Sequence, residues 1–338
     1  MKKIRAHTLA MALACMAAPA AAETALTVAN WLPPSHPLVT GVIVPLTEQI
    51  AEATGGEVVA NILPAPLGPP PAQFDFAVNG VADIAFGVQG YSPGRFKTTN
   101  LAELPFLGDS AEVTSVAYWR TFEAMLKDAG EYDDVKVLAV FAHGPGQIFV
   151  KEGDLSGIDA LKGKKMRIGG GIVQKVATTL GAVPVEGPSS KAYELLSQGV
   201  ADGILFPYES VAFFGLIPQL SKGLSVPGGL YNTSFYIVMN KAKWESLTPE
   251  QQAAIDGVTG EPLARLAGQM WDRVDAEGLS AMEGKIEVAP ASGEQIAAWK
   301  EMLAPVVDAS LAEIDAAGVD SKAALEMFMS EIEGGAAE

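Results

Sequence analysis

The tetrapeptide Gly-Val-Ala-Asp occurs twice in the chain, at 80–83 and at 199–202, each time at the same step in the order of elements. Both copies follow a short helical pattern that closes on the glycine. Both precede an apolar run, IAFG at 84–87 and GILF at 203–206, which enters its sheet through the aspartate. A repeated unit in a chain of 338 residues predicts two lobes of one design.

The surrounding periodicity supports this. LTVANW at 26–31 reads as a short strand, and 38–53 as an amphipathic helix stopped at Gly55-Gly56. A strand at 57–63, a proline-rich turn at 64–71, a helix at 72–79 and a buried strand at 82–86 follow. A second module starts near Val135, where VKVLAVFA, GPGQIFV and KKMRIGG supply strands and 172–181 and 189–198 supply helices ahead of GILF. Strands alternating with helices predict an α/β class, each lobe a mixed sheet flanked by helices. Thr248-Pro249-Glu250-Gln251 is a capping box with proline at the first helical position. The helix it starts is expected to run across Gly257 and Gly260 to about 282. About 30 residues at this pitch span ~45 Å, enough to bridge both lobes. Helices over 294–316 and 321–332 finish the chain. The expected lobes are 23–145 with about 233–270, and 146–232 with about 271–338.

Residues 1–22 carry three cations (Lys2, Lys3, Arg5), an apolar stretch over 9–18 and small residues at Ala20, Ala21 and Ala22. That order is a secretory signal peptide with cleavage expected after Ala22, which predicts a periplasmic protein. The apolar stretch is shorter than the roughly 20 residues of a membrane span. Cys15 lacks the Leu that a lipidation signal carries three positions earlier, where Ala12 stands.

Without 1–22 the chain keeps no cysteine, and 20 Lys and Arg face 40 Asp and Glu, a net charge of −20. So acidic a surface repels nucleic acid and anionic lipid, and any anion site has to be a local exception to that field. A chain this long buries enough apolar surface to fold without disulfides, and it is expected to be a monomer with no membrane insertion. His36 and His143 are the histidines that remain; neither sits in a ligand-spaced pair, so a zinc or Ser/His centre is not indicated. Gly169-Gly170-Gly171 lacks the lysine and hydroxyl of a phosphate loop, but lets backbone approach a carboxylate at a helix start. No cofactor is expected, and no enzymatic centre is indicated.

Five phrases carry a resemblance: NWLPPSHP at 30–37, NGVADIAFG at 79–87, LKGKKMRIGG at 161–170, LLSQGVADG at 195–203 and MNKAKWESLTPEQQAAI at 239–255. In this order they resemble the DctP-type substrate-binding proteins of tripartite ATP-independent periplasmic (TRAP) transporters. The resemblance implies a two-lobed periplasmic-binding-protein fold closing over its ligand, a helix crossing both lobes, and TRAP membrane subunits as partners. It also implies that Arg167 pairs with the ligand carboxylate. Guanidinium chemistry agrees, since its rigid fork of donors matches a carboxylate. Arg167 is otherwise a surface cation like Lys162, Lys164 and Lys165. If Met166 and Ile168 face the core, strand alternation turns it to the interlobe space.

The chain departs from the family at two places. Phe206 stands where these proteins commonly carry a polar residue, and GPGQI at 144–148 lacks a frequent cation. One cation beside an aromatic ring favours a monocarboxylate with an apolar or aromatic body. A C4-dicarboxylate or 2-oxo acid, or the binding protein of an ABC importer, is the alternative.

Trp31, Asn30, Gln89, Gly170, Ser189, Tyr208 and Asn232 join Arg167 and Phe206 as expected ligand contacts, because they sit in loops at the ends of predicted elements. Tyr91, Phe213 and Tyr231 lie in similar loops. Ser189 and Ser190 equally read as a helix N-cap, His36 as a turn residue and Glu209 as structural, although a metal bridging the ligand is known in some family members.

Overall fold

The computed structural model describes residues 23–335. The expected signal peptide lies outside the described residues. The strands are Thr24–Val28 (β1), Val58–Ile62 (β2), Ile84–Val88 (β3), Val135–Ala142 (β4), Gln147–Val150 (β5), Lys165–Ile168 (β6), Val183–Glu186 (β7), Gly203–Phe206 (β8), Lys222–Ser225 (β9), Ser234–Asn240 (β10) and Glu287–Pro290 (β11). They form two mixed sheets, β2-β1-β3-β10-β4 and β7-β6-β8-β5-β9-β11.

The sheets repeat one plan. In the first, β3 pairs in parallel with β1 and antiparallel with β10; in the second, β8 pairs in parallel with β6 and antiparallel with β5. The chain returns from the second lobe to supply β10 to the first, and later β11 to the second. Every residue of β3 and of β8 is buried, as expected for central strands covered on both faces.

The two aspartates of the repeated tetrapeptide do the same work. Asp83 accepts hydrogen bonds from the Thr27 amide at 2.7 Å and its hydroxyl at 2.8 Å, on the parallel neighbour β1. Asp202 accepts from the Lys165 amide, on the parallel neighbour β6, at 2.9 Å. Gly80 and Gly199 stop their helices in the left-handed region, at φ 66° and 72°. Each copy thus ends a helix and fastens the entrance of the next strand.

The bridging helix is shorter than the sequence suggests. The capping box at Thr248 forms, but its helix ends at Asp256, and a new one runs Glu261–Met282. Gly260 breaks the run: its φ is 68°, its amide bonds Leu138 O at 2.6 Å, and a Cβ there would stand 2.9 Å from the Trp119 ring. Twenty-two residues still extend about 33 Å. The helix packs on Ala111–Thr121 and β4 of the first lobe and on Tyr208–Phe213 of the second. Gly268 and Gly278 permit both contacts. A Cβ at Gly268 would collide with the Glu112 backbone, and one at Gly278 would stand 2.6 Å from the Tyr208 carbonyl carbon.

Candidate functional site

The lobes meet across the cleft. Gly90 of the first lies against Gly170 of the second so closely that a Cβ on Gly170 would stand 2.6 Å from Gly90 O. The Tyr91 hydroxyl accepts the Ser189 amide at 2.9 Å. Glu103 spans the same junction. One of its oxygens accepts the Ser234 hydroxyl at 2.6 Å, and the other accepts the Ile172 amide at 3.1 Å, where helix Ile172–Thr179 begins. Burial raises the Glu103 carboxyl above the usual range, and these donors partly offset the rise.

Arg167 sits on β6 between Met166 and Ile168, both fully buried, and is itself only 1% exposed. Its two side-chain hydrogen bonds go to one acceptor, Gly187 O, from Nε at 3.1 Å and Nη2 at 2.6 Å. The guanidinium carbon lies 4.4 Å from the centre of the Phe206 ring. Among the described residues no carboxylate lies within 4.0 Å of it. Desolvation accordingly lowers its pKa from the ordinary value. A buried cation without a counter-anion is a site for one.

Around it the lobes leave a cavity that both of them line. Its walls are aromatic: Trp31, Tyr91, Phe206, Phe214, Phe235 and Trp271. Tyr231 also lines it, and Gly146 in the GPGQI segment leaves the room its ring occupies. A glycine and a tyrosine ring therefore meet in this segment.

Of the expected contacts, Arg167, Phe206, Trp31 and Ser189 line this cavity. The other five do not. Asn30 turns its side-chain oxygen onto the Leu32 amide at 3.0 Å, within its own loop. Gln89 bonds the Tyr118 hydroxyl at 3.1 Å and the Tyr132 hydroxyl, inside the first lobe. Gly170 makes the interlobe contact and lines a second, outer space, while Tyr208 packs edge-on against Phe149. Asn232 is buried, and its amide nitrogen has no hydrogen-bond partner. Neither Ser189 nor Ser190 is a side-chain cap; a 3₁₀ turn, Ser189–Lys191, leads into helix Ala192–Ser197. Phe213 packs on His36 rather than on the cavity.

The sequence reading missed Phe235, Trp271, Phe214, His36 and His143, all of which line the cavity. Trp271 was findable: it sits midway along the one helix expected to cross both lobes.

Behind this wall lie buried titratable groups whose pKa values move in opposite directions. Burial lowers His36 to about 3 and His143 to about 4, Arg167 adding to the second shift. Burial pushes Glu209 up to about 8 and Asp275 up to about 7. Above about pH 7.5 the histidines are neutral in folded and unfolded chains alike, and between pH 6.5 and about 7.5 the protons they still hold in the unfolded chain offset only part of the carboxyls' effect. The raised carboxyls hold more protons when folded, so the stability they contribute is lost as pH rises through their folded values. Thermal melts should therefore show a falling melting temperature between pH 6.5 and about 8, with a smaller fall in Glu209→Gln.

A two-lobed α/β protein whose lobes close on a buried guanidinium among aromatic walls belongs to the class of solute-binding proteins. The chain is a member of the DctP family, bacterial extracellular solute-binding protein family 7, whose family model matches residues 28–314. Among solved structures it is similar to a TRAP periplasmic solute-binding protein from Bordetella bronchiseptica with bound (R)- and (S)-mandelate. The two are 38% identical with a TM-score of 0.90, over 92% of this chain and 99% of that one. A marine metagenome TRAP solute-binding protein specific for aromatic acid ligands, in complex with 3-hydroxybenzoate, is 33% identical with a TM-score of 0.86, over 93% of this chain and 99% of that one. A Rhodoferax ferrireducens TRAP solute-binding protein with copurified benzoate is 29% identical with a TM-score of 0.85, over 92% of this chain and 98% of that one. The family is one of binding proteins, not of enzymes. Among the described residues, no helix is long and apolar enough to cross a membrane and no acidic, histidine or cysteine cluster is arranged to hold a metal.

Proposed function

We propose that this protein captures a monocarboxylate with an aromatic body in the periplasm and delivers it to the membrane subunits of a TRAP transporter. The observation that carries this reading is the buried Arg167, which has no carboxylate partner among the described residues and stacks on Phe206. In the closed cleft its free donors and a ligand carboxylate satisfy one another, and the aromatic walls cover the ligand body. A second carboxylate in the same cavity would face no further lysine or arginine among the described residues and cost several kcal/mol. The similar proteins that hold mandelate, 3-hydroxybenzoate and benzoate support the same ligand class. Closure brings the two lobes together, with Arg167 on the second and Trp31 on the first.

A thermal-shift comparison of benzoate, mandelate and 3-hydroxybenzoate with succinate and 2-oxoglutarate tests this. A true ligand at 100 times its Kd adds ~2.7 kcal/mol of stability. Aromatic monoacids should raise the melting temperature, and a shift with the dicarboxylates alone would overturn the reading. The exported form should begin at Glu23, which intact-mass measurement of periplasmic protein checks; a mass retaining residues 1–22 would contradict export by cleavage.

A further inference from the structure

One end of the cavity is polar. His36, Ser210 and Trp271 line it, and Glu209 stands against His36 and Ser210. The His36 ring is 3% exposed, and its Nδ1 accepts the Leu38 amide at 3.1 Å. A neutral ring so bonded carries its hydrogen on Nε2. That nitrogen is 3.8 Å from Glu209 Oε1, too far for a direct hydrogen bond. Glu209 is 3% exposed and its Oε1 has no partner among the described residues, although Ser210 holds the other oxygen at 2.7 Å. Trp271 Nε1 is also buried without a partner among them.

A buried donor and a buried acceptor thus face each other across a gap that one oxygen fills. An atom ~2.8 Å from each closes a triangle on the 3.8 Å base, accepting from Nε2 and donating to Oε1. We propose that His36 and Glu209 form a subsite for a hydroxyl carried on the ligand's aromatic ring, so that the protein selects hydroxylated aromatic acids over plain ones. The inference rests on the aromatic monocarboxylate reading above. From Arg167 the ring contacts run to Phe206 at 4.4 Å, on to Phe214 at 6.0 Å, and on to His36 at 5.8 Å. The subsite thus stands two rings along the wall from the guanidinium, which favours a hydroxyl on the ligand's ring over one on the carbon beside the carboxylate.

The pairing is a matter of neutral groups. Burial keeps the His36 ring uncharged, and with Glu209 pushed up to about 8 its carboxyl is largely protonated at neutral pH. Neither group therefore needs a counter-charge from the ligand. A methyl in place of the hydroxyl leaves both groups unpaired, and sites built to bond a hydroxyl discriminate strongly against such analogues.

Calorimetry with benzoate, 3- and 4-hydroxybenzoate and 3- and 4-methylbenzoate tests this on the wild-type protein. At least one hydroxy acid should bind tenfold or more tightly than its methyl counterpart, and in Glu209→Leu that ratio should fall below threefold. Methyl acids that bind as tightly as the hydroxy acids to wild-type protein would overturn the subsite and leave the aromatic-acid reading standing. An unchanged ratio in a folded Glu209→Leu would do the same. Failure of all five acids to bind would overturn both. The wild-type ligand series decides the matter even where the variant does not fold.

Discussion

Replacing Arg167 with methionine should weaken monocarboxylate binding by about 3–5 kcal/mol, two to four orders of magnitude in Kd, while leaving the ligand-free protein no less stable. The two halves of this expectation have one cause. Arg167 is 1% exposed, directs its side-chain hydrogen bonds at the Gly187 carbonyl with the Tyr91 hydroxyl close by, and has no carboxylate within 4.0 Å among the described residues. Without ligand its charge is desolvated with little return beyond that carbonyl and the face of Phe206. A methionine of similar length fills the space without the charge. With ligand the balance reverses, because the variant would bury a carboxylate with no cation to meet it. Titration calorimetry on the best monoacid, paired with melting of the ligand-free protein, separates the effects. Affinity within a few-fold of wild type would remove Arg167 from the site. A large loss of ligand-free stability would make its role one of folding.

The lobes were legible because the repeated tetrapeptide is a structural device. Gly80 and Gly199 need φ above zero, and Asp83 and Asp202 each fasten a strand to its parallel neighbour. Arg167 was legible because Met166 and Ile168 flank it on a strand, which forces it to the opposite face. The loop polar residues were not. Position at a strand end does not reveal that Asn30 spends its oxygen on Leu32, or that Gln89 turns inward to two tyrosines. The Gln89 partners lie 29 and 43 residues away in the chain, and the Asn30 bond is a turn inside its own loop that competes with any ligand for the same oxygen. The helix break at Gly260 escaped for a similar reason: capping chemistry set the start at Thr248, while the stop answers to Trp119 and Leu138. Nothing in the sequence around Phe235 marks it as a site residue, and only the seating of β10 between β3 and β4 brings it to the cavity.

Gly90→Val should hold the lobes apart and reduce affinity at least tenfold, with the first lobe's own packing intact. A Cβ on Gly90 would lie 3.0 Å from Gly170 O and 3.1 Å from both Gly170 C and Gly171 N. These are backbone atoms of the opposite lobe and cannot rotate aside, so the closed form must widen or the cleft must stay open. The three nearest atoms all belong to the other lobe, which leaves the open form free of this clash. Gly90 is also absent from the positive-φ glycines, so the substitution adds no left-handed strain. Gly170→Val is the poorer probe, because φ 93° there adds a backbone cost of ~1–3 kcal/mol that closure does not cause. If binding requires the closed form, apparent affinity falls by the fraction of molecules still able to close. Small-angle scattering should then show ligand-induced compaction in the wild type and a reduced change in Gly90→Val at the same ligand saturation. Undiminished affinity with undiminished compaction would mean that the Gly90–Gly170 approach can relax, and that Arg167 and the aromatic walls capture ligand without the tight meeting of the two lobes.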